Sequence, residues 1–234
     1  MPNDLPVFAR RCILPRPPFR SRRRNPDDQT RTHPRPLAPN SLGESIGQVI
    51  ALSEEHGIPH ERANALVYLG WAIGQTNDVA QGVQRLEEGL VAFNRLGQRN
   101  NLCLALCLLA ETYLVSGQYE SGMEQANRAL AASSEIGDRW CLPRIYMAHA
   151  RLLQQASANA EAAEASLRRA LEVAGLQCAK GWELRAATSL ARLWCDQGKR
   201  DEARNLLAPV YGWFTEGFDT RDLKEAKALL NELA

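Results

Sequence analysis

The stretch LCLLAETYLVSGQYESGMEQANRAL, residues 106–130, decides the fold. Leu106, Leu109, Ala110 and Tyr113 recur three and four apart, which places them on one face of a helix. Gly117 and Tyr119 mark a turn, and Gly122, Ala126, Ala129 and Leu130 share one face of a returning helix. Large residues on the first helix can fill the groove of the second. Small residues then sit where the two backbones come closest. The segment predicts an antiparallel helix pair.

The same template fits upstream without a gap, through Leu66, Leu69, Gly70, Ile73, Asn77, Val79, Gly82, Leu86, Gly89 and Leu90. It fits downstream through Ala187, Leu190, Ala191, Trp194, Gly198, Ala203 and Leu207, although Val210 and Tyr211 replace the small-residue–Leu pair. A weaker unit lies between, through Ile145, Leu152, Leu167, Ala170 and Leu171, with about two extra turn residues around Ser157-Ala158-Asn159. These spacings match the tetratricopeptide pattern. Small residues near the end of each second helix recur at 89, 129 and 170, a period of 40 or 41 that exceeds the usual ~34 and enters the HEAT range. The excess falls between units, where Leu96-Gly97-Gln98-Arg99-Asn100 and Ile136-Gly137-Asp138-Arg139-Trp140 resemble each other. A second helix longer by one turn and stopped by Gly accounts for it and favours long tetratricopeptide-like units over HEAT. The expected fold is all-α: a tetratricopeptide-like α-solenoid, a right-handed superhelix of helix pairs. Its units fall at about 61–97, 101–137, 141–176 and 181–217.

Composition agrees. A hydrophobic share of 45% supports a core, while only 6% aromatic residues disfavours a sheet protein. Residues 1–40 carry nine Arg and three Asp against a net charge of +1 for the whole chain, which leaves residues 41–234 at 1 − 6 = −5. This N-terminal segment also holds nine of the twelve prolines and is expected to be a disordered tail. Arg22-Arg23-Arg24 gives it an alternative reading as a nucleic-acid arm. No helix-turn-helix pattern precedes the repeats, which weighs against DNA binding. Order is expected to begin at Ser41-Leu42-Gly43-Glu44, read as a capping box.

The ends differ. Ser45 to His56, with Ile46, Val49, Ile50 and Leu52, reads as a second helix without its first-helix partner, within a half-repeat at 41–57. Asp222 to Leu233, with Leu223, Ala226, Leu230 and Leu233 on one stripe, reads as a capping helix over 220–233. Pro209 is expected to kink or shorten the helix before it. The array is thus expected to be finished at its C-terminus and unfinished at its N-terminus, as in part of a longer protein.

No catalytic, cofactor or metal site emerges. Cys12, Cys103, Cys107, Cys141, Cys178 and Cys195 contain no CxxC pair and read mostly as small buried hydrophobes of a reducing compartment. Cys103 and Cys107 are four apart but lack further ligands, and Gly57 and Pro59 keep His56 and His60 off a common face. The uncharged run from Leu102 to Ala110 spans nine residues, about half a membrane span, and Arg10-Arg11 precedes no signal-peptide core. A cytoplasmic, non-enzymatic protein is expected.

Trp182 to Leu193, Gln197-Gly198-Lys199-Arg200, Glu202-Ala203-Arg204, Leu207 to Thr220 and Asp222 to Lys227 resemble the extreme C-terminus of large bacterial signalling proteins. In that family a class III adenylate/guanylate cyclase domain and an AAA-like, STAND-type ATPase precede a tetratricopeptide array. The resemblance covers roughly 41–234 and is sharpest from 178 onward. It implies a sensory or interaction module, a C-terminal part or remnant of such a regulator. It does not imply nucleotide chemistry here. Gly198-Lys199 is followed by Arg200, and Leu193 stands where a P-loop needs its first Gly.

In tetratricopeptide arrays the inner face of the first helices receives a peptide or a partner helix. On this register Asn64, Trp71, Glu111, Arg185 and Arg192 are expected to face a concave partner-binding groove. Arg185 and Arg192 suit an acidic segment or a C-terminal carboxylate, because a guanidinium fork matches that geometry. Tyr113, Trp194 and Trp213 read as core. Glu87-Glu88 and Asp201-Glu202 read as solvated faces.

Overall fold

The computed structural model describes residues 39–76, 78–156 and 159–234, with side chains from residue 44 onward. Of the tail expected over residues 1–40, residues 1–38, including Cys12 and the Arg22–Arg24 run, lie outside the described residues, as do Asn77, Ser157 and Ala158, while Pro39 and Asn40 already belong to a helix. Among the described residues there are ten helices and no strand. In chain order they are α1 (Pro39–Glu55), α2 (Pro59–Gly74), α3 (Val79–Arg95), α4 (Leu102–Val115), α5 (Tyr119–Ile136), α6 (Leu142–Ala156), α7 (Ala160–Leu176), α8 (Lys180–Asp196), α9 (Arg200–Tyr211) and α10 (Arg221–Glu232). The chain is the all-α, tetratricopeptide-like solenoid that the repeat predicts.

Local chemistry sets the ends. Pro59 occupies the first turn of α2, where its missing N–H has no intrahelical acceptor to lose. The Asp78 carboxylate accepts from the Gln81 amide to cap α3, and the Asn159 side chain accepts from the Ala162 amide to cap α7. α5 stops at Gly137, whose φ of 77° is left-handed and whose amide donates to the Ser133 carbonyl. The long second helices are α3, α5 and α7, with 17, 18 and 17 residues. α9 holds only 12 and ends two residues beyond Pro209. One boundary differs from the sequence reading. α1 already begins at Pro39, a residue suited to the first helical position, so Ser41 lies within the first turn instead of capping it.

The helices pair as α2–α3, α4–α5, α6–α7 and α8–α9, and a single rule stacks the pairs. α4 lies against both α2 and α3, α6 against α4 and α5, α8 against α6 and α7, and α10 against α8 and α9. α10 therefore takes the first-helix place of a further unit and covers its apolar end with Leu223, Ala226, Leu229 and Leu233. The core follows the stack. Leu86, Phe93, Leu109, Ile145, Leu167, Leu190 and Leu207 are all buried, each contributing about 1.5–3 kcal/mol relative to exposure. Leu69, on the same template, is half-buried.

Close approach is concentrated in the first pair. A Cβ at Gly70 would lie 2.6 Å from the Leu86 nitrogen, and one at Gly82 would lie 2.6 Å from the Gly74 Cα. In the next pair a Cβ at Gly122 would lie 2.7 Å from Leu152 Cδ2. These are the small positions of the template, and backbone or core side chains occupy the space that a methyl would need.

The α6–α7 contact carries a titrating group. His149 Nδ1 lies 2.9 Å from Ser166 Oγ, and burial lowers the imidazole pKa below its usual 6.5. A lowered folded pKa means that the neutral ring is favoured in the native state. That stability is complete above the unfolded value and is lost as pH falls below it. Chemical denaturation of the wild type from pH 7.5 to 5 is expected to show this loss. His149→Gln should reduce the slope, and an unchanged slope would contradict the assignment.

Candidate partner-binding face

The first helices α2, α4, α6 and α8 touch one another in series, and corresponding residues along them form rows. One row holds Trp71, Glu111, Arg151 and Arg192, spaced 40 or 41 apart. A second holds Asn64, Leu104, Arg144 and Arg185 at the same spacings. The five residues expected from sequence all lie on these rows, but they do not form one site.

Trp71 and Glu111 do come together, and the residue that joins them is Arg144. Trp71 Nε1 donates to Glu111 Oε2 at 3.0 Å. Arg144 donates through Nε to Glu111 Oε1 at 2.8 Å and through Nη2 to Glu111 Oε2 at 2.7 Å, a bidentate fork. Its guanidinium also lies 5.3 Å from the centroid of the Trp71 ring. The Arg144 and Glu111 side chains are only 23% and 17% exposed. Burial opposes the charge on Arg144, but the Glu111 bonds and charge outweigh it and hold its pKa above the usual value. The cluster ties α2, α4 and α6 to one another, and its polar groups are spent on that task.

Arg185 is engaged as well. Its Nε donates to Asp222 Oδ2 at 2.6 Å, joining α8 to α10, and its guanidinium lies 4.9 Å from the Trp182 ring. Asn64 Oδ1 accepts from Asn101 Nδ2 at 3.3 Å. Arg192 is exposed and has no ion-pair or hydrogen-bond partner among the described residues. The same is true of Arg151, one unit earlier in the same row. Sequence reasoning missed Arg144 and Arg151 because the α6 unit fits the template poorly. Carrying the 40-residue step from Leu104 and Glu111 through that unit would have found both.

A related cluster lies at the α7–α8 contact. Arg168 donates to Glu164 Oε1 through Nε at 3.0 Å and Nη2 at 2.8 Å, and its guanidinium lies 5.0 Å from the Trp194 ring. Burial raises the Glu164 pKa, but the hydrogen bonds from Arg168 with the Arg168 and Lys199 charges lower it further, for a net shift below the usual carboxylate value. Trp194 is core, as its pattern predicts. Trp213 is not: it is 51% exposed, because α9 ends at Tyr211 and the chain then turns towards α10. Its ring stands edge-on to Phe214 with Lys180 Nζ 5.6 Å away. Tyr113 is half-buried, with its hydroxyl 3.5 Å from a Glu87 carboxylate oxygen.

The cysteines divide similarly. Cys103, Cys107 and Cys141 are buried thiols whose pKa values burial pushes up, to about 12 at Cys141, so they stay protonated and unreactive at neutral pH. Cys178 departs from the buried pattern: it is exposed, in the α7–α8 turn at a φ of 54°, where the helix has already ended. Among the described residues no three His, Cys, Asp or Glu side chains gather as a metal site. No helix among them is long and apolar enough to cross a membrane.

At the N-terminal end of this face, Ile46 and Val49 of α1 and Asn64, Ala65, Tyr68 and Trp71 of α2 line an open groove of about 380 Å³, with Glu61 at its edge.

No protein-family model matches the chain. An uncharacterized protein of Rhizobium meliloti (strain 1021), R02095, is 28% identical over 152 residues, which cover 65% of this chain and 15% of that protein. The chain thus spans less than two thirds of that relative's length. Among solved structures, BtubC (BKLC) from P. vanneervenii matches with a TM-score of 0.66 at 17% identity, over 85% of this chain and 90% of that one. A Podosopora anserina putative kinesin light chain with nearly identical TPR-like repeats matches with a TM-score of 0.55 at 18% identity, over 74% and 85% of the two chains. At these identities the likeness is one of fold.

Proposed function

We propose that the chain is a non-catalytic protein-interaction module whose first-helix face forms a concave groove for an acidic segment of a partner protein, with Arg151 and Arg192 as its receptors. The observation that carries this reading is the contrast between the two rows. Arg144 and Arg185 are neutralised by Glu111 and Asp222, whereas Arg151 and Arg192, one unit apart, stay exposed without a partner among the described residues. Two guanidinium groups on adjacent helices of a stiff solenoid can receive carboxylates at low cost in ordering. Arg185 contributes only if a ligand displaces Asp222. Asn64, Trp71 and Glu111 then serve as the floor of the groove.

The finer setting is that of a signalling regulator of the cyclase–ATPase type, of which this chain is a C-terminal module. The resemblance from residue 178 onward supports it, and an alignment covering only 15% of a much longer bacterial protein fits a module of a larger chain. Free buried cysteines fit a reducing, cytoplasmic setting.

Binding is tested by fluorescence anisotropy with a labelled Gly/Ser-spaced peptide carrying four glutamates and a free C-terminus. Arg151→Ala/Arg192→Ala is expected to weaken it about tenfold at low salt. Arg185→Ala should change it less than twofold. Equal affinity of the double variant and the wild type would dispose of the proposed receptors.

A further inference from the structure

The Glu111–Arg144 fork has a counterpart one unit later in which a cation replaces the acceptor. Steps of 40 and 41 residues carry Glu111 to Arg151 and Arg144 to Arg185, so the repeat sets a guanidinium on α6 where α4 presents a carboxylate. Arg185 turns instead to α10, and its Nε donates to Asp222 Oδ2 at 2.6 Å. Arg192 stands one unit beyond Arg151 on α8. Lys224 continues the row of Arg185 on α10, because buried Leu184 and Ala187 of α8 correspond to buried Leu223 and Ala226, 39 residues on. Arg151, Arg185, Arg192 and Lys224 are all exposed. Among the described residues, Asp222 is the only carboxylate bonded to any of these four cations.

We propose that these four side chains form a phosphoryl-group site, which takes a phosphorylated serine or threonine of the partner segment and holds Asp222 as its internal occupant until then. The inference rests on the reading of Arg151 and Arg192 as receptors for an acidic segment, and it names the group they select. Asp222 shows the kind of group that Arg185 accepts. It also explains why a plain carboxylate gains little there. Exchanging one carboxylate for another leaves the number of charge-assisted bonds unchanged.

A phosphomonoester differs in charge and in valency. It carries about −1.5 to −2 charge and three acceptor oxygens, so it can accept from Arg185 and from Arg151 or Arg192 at once. α6 and α8 touch, and packed helix axes lie roughly 8–10 Å apart, a gap that two arginine side chains can close around one tetrahedral group. Release of Asp222 costs little. The Arg185 and Asp222 side chains are 46% and 31% exposed, and water screens a pair so placed and solvates both groups once they part.

The test uses the full chain and two labelled Gly/Ser-spaced peptides read by fluorescence anisotropy, in which a pair of glutamates flanks a central phosphoserine or a central glutamate. The phosphoserine peptide is expected to bind about tenfold more tightly than the glutamate peptide. Arg185→Ala should bring the two within about twofold of each other. Asp222→Asn should raise affinity for the glutamate peptide about threefold, because the competitor for Arg185 is gone. Equal binding of the two peptides, a phosphoserine advantage that survives Arg185→Ala, or no gain in Asp222→Asn would each overturn the proposal and leave the acidic-segment reading standing. That reading fails separately, when Arg151→Ala/Arg192→Ala binds the glutamate peptide as the wild type does. A short oligo-deoxythymidine that binds as tightly as the phosphoserine peptide would also overturn the proposal, by assigning the cations to a phosphodiester backbone.

Discussion

Gly82→Ala is expected to destabilise the protein by about 3 kcal/mol and lower its melting temperature by roughly 6–12 °C. In an exposed helix interior the change would help, by ~0.4–1 kcal/mol, because alanine restricts the unfolded chain. Here the new methyl would stand 2.6 Å from both the Cα and the nitrogen of Gly74 and 2.8 Å from the Gly70 carbonyl oxygen. All three are backbone atoms of α2, so no rotamer change can relieve the clash. Only separation of α2 from α3 can, and that would open the contacts of Leu86 and Phe93, which are 0% and 1% exposed. Gly122→Ala offers an internal comparison. Its nearest obstacle is Leu152 Cδ2 at 2.7 Å, a side-chain end that can rotate, so a cost of about 1 kcal/mol is expected. Gly181→Ala meets nothing within 4 Å and should be neutral or slightly stabilising. Thermal and urea denaturation of the three variants gives the order directly. A Gly82→Ala protein as stable as Gly181→Ala would mean that the first pair does not pack at this distance.

That order follows from the feature that made the fold legible. Glycines at 70, 82 and 89 and alanines at 110, 126 and 129 announce close helix pairs, because a small residue at a fixed offset from a large one reflects local packing. Helix ends were legible for the same reason: Gly97, Gly137 and Pro59 act within one turn of themselves. The face was less so. Arg185 and Asp222 are 37 residues apart, and Glu111 and Arg144 are 33 apart, so each pairing depends on the register of a neighbouring unit. Around Cys141 and Pro143 the template blurs, and Arg144 disappeared with it. Trp213 was misplaced because apolar character says nothing of a chain that leaves its helix two residues earlier.

The Trp71–Glu111–Arg144 cluster is where the two readings of this face part. A Glu111 turned towards a partner would lose binding on replacement and keep its stability. The geometry predicts the reverse order for Glu111→Ala. Arg144 would keep its charge, largely out of solvent, without its bidentate acceptor, and the Trp71 indole N–H would lose its carboxylate acceptor. A broken partly buried ion pair of this kind costs about 2–4 kcal/mol, most of it from the stranded partner. Arg144→Met should cost less, because the thioether can still cover Trp71 and Glu111 keeps the indole donor. A double-mutant cycle between the two positions is expected to return a coupling above about 1.5 kcal/mol. Acidic-peptide binding supplies the decisive comparison. If α2, α4 and α6 are held in register by this cluster, Glu111→Ala weakens binding only under conditions that also begin to unfold the protein. Full stability with lost binding would instead return Glu111 to the partner-facing role, and the coupling energy would then fall to near zero.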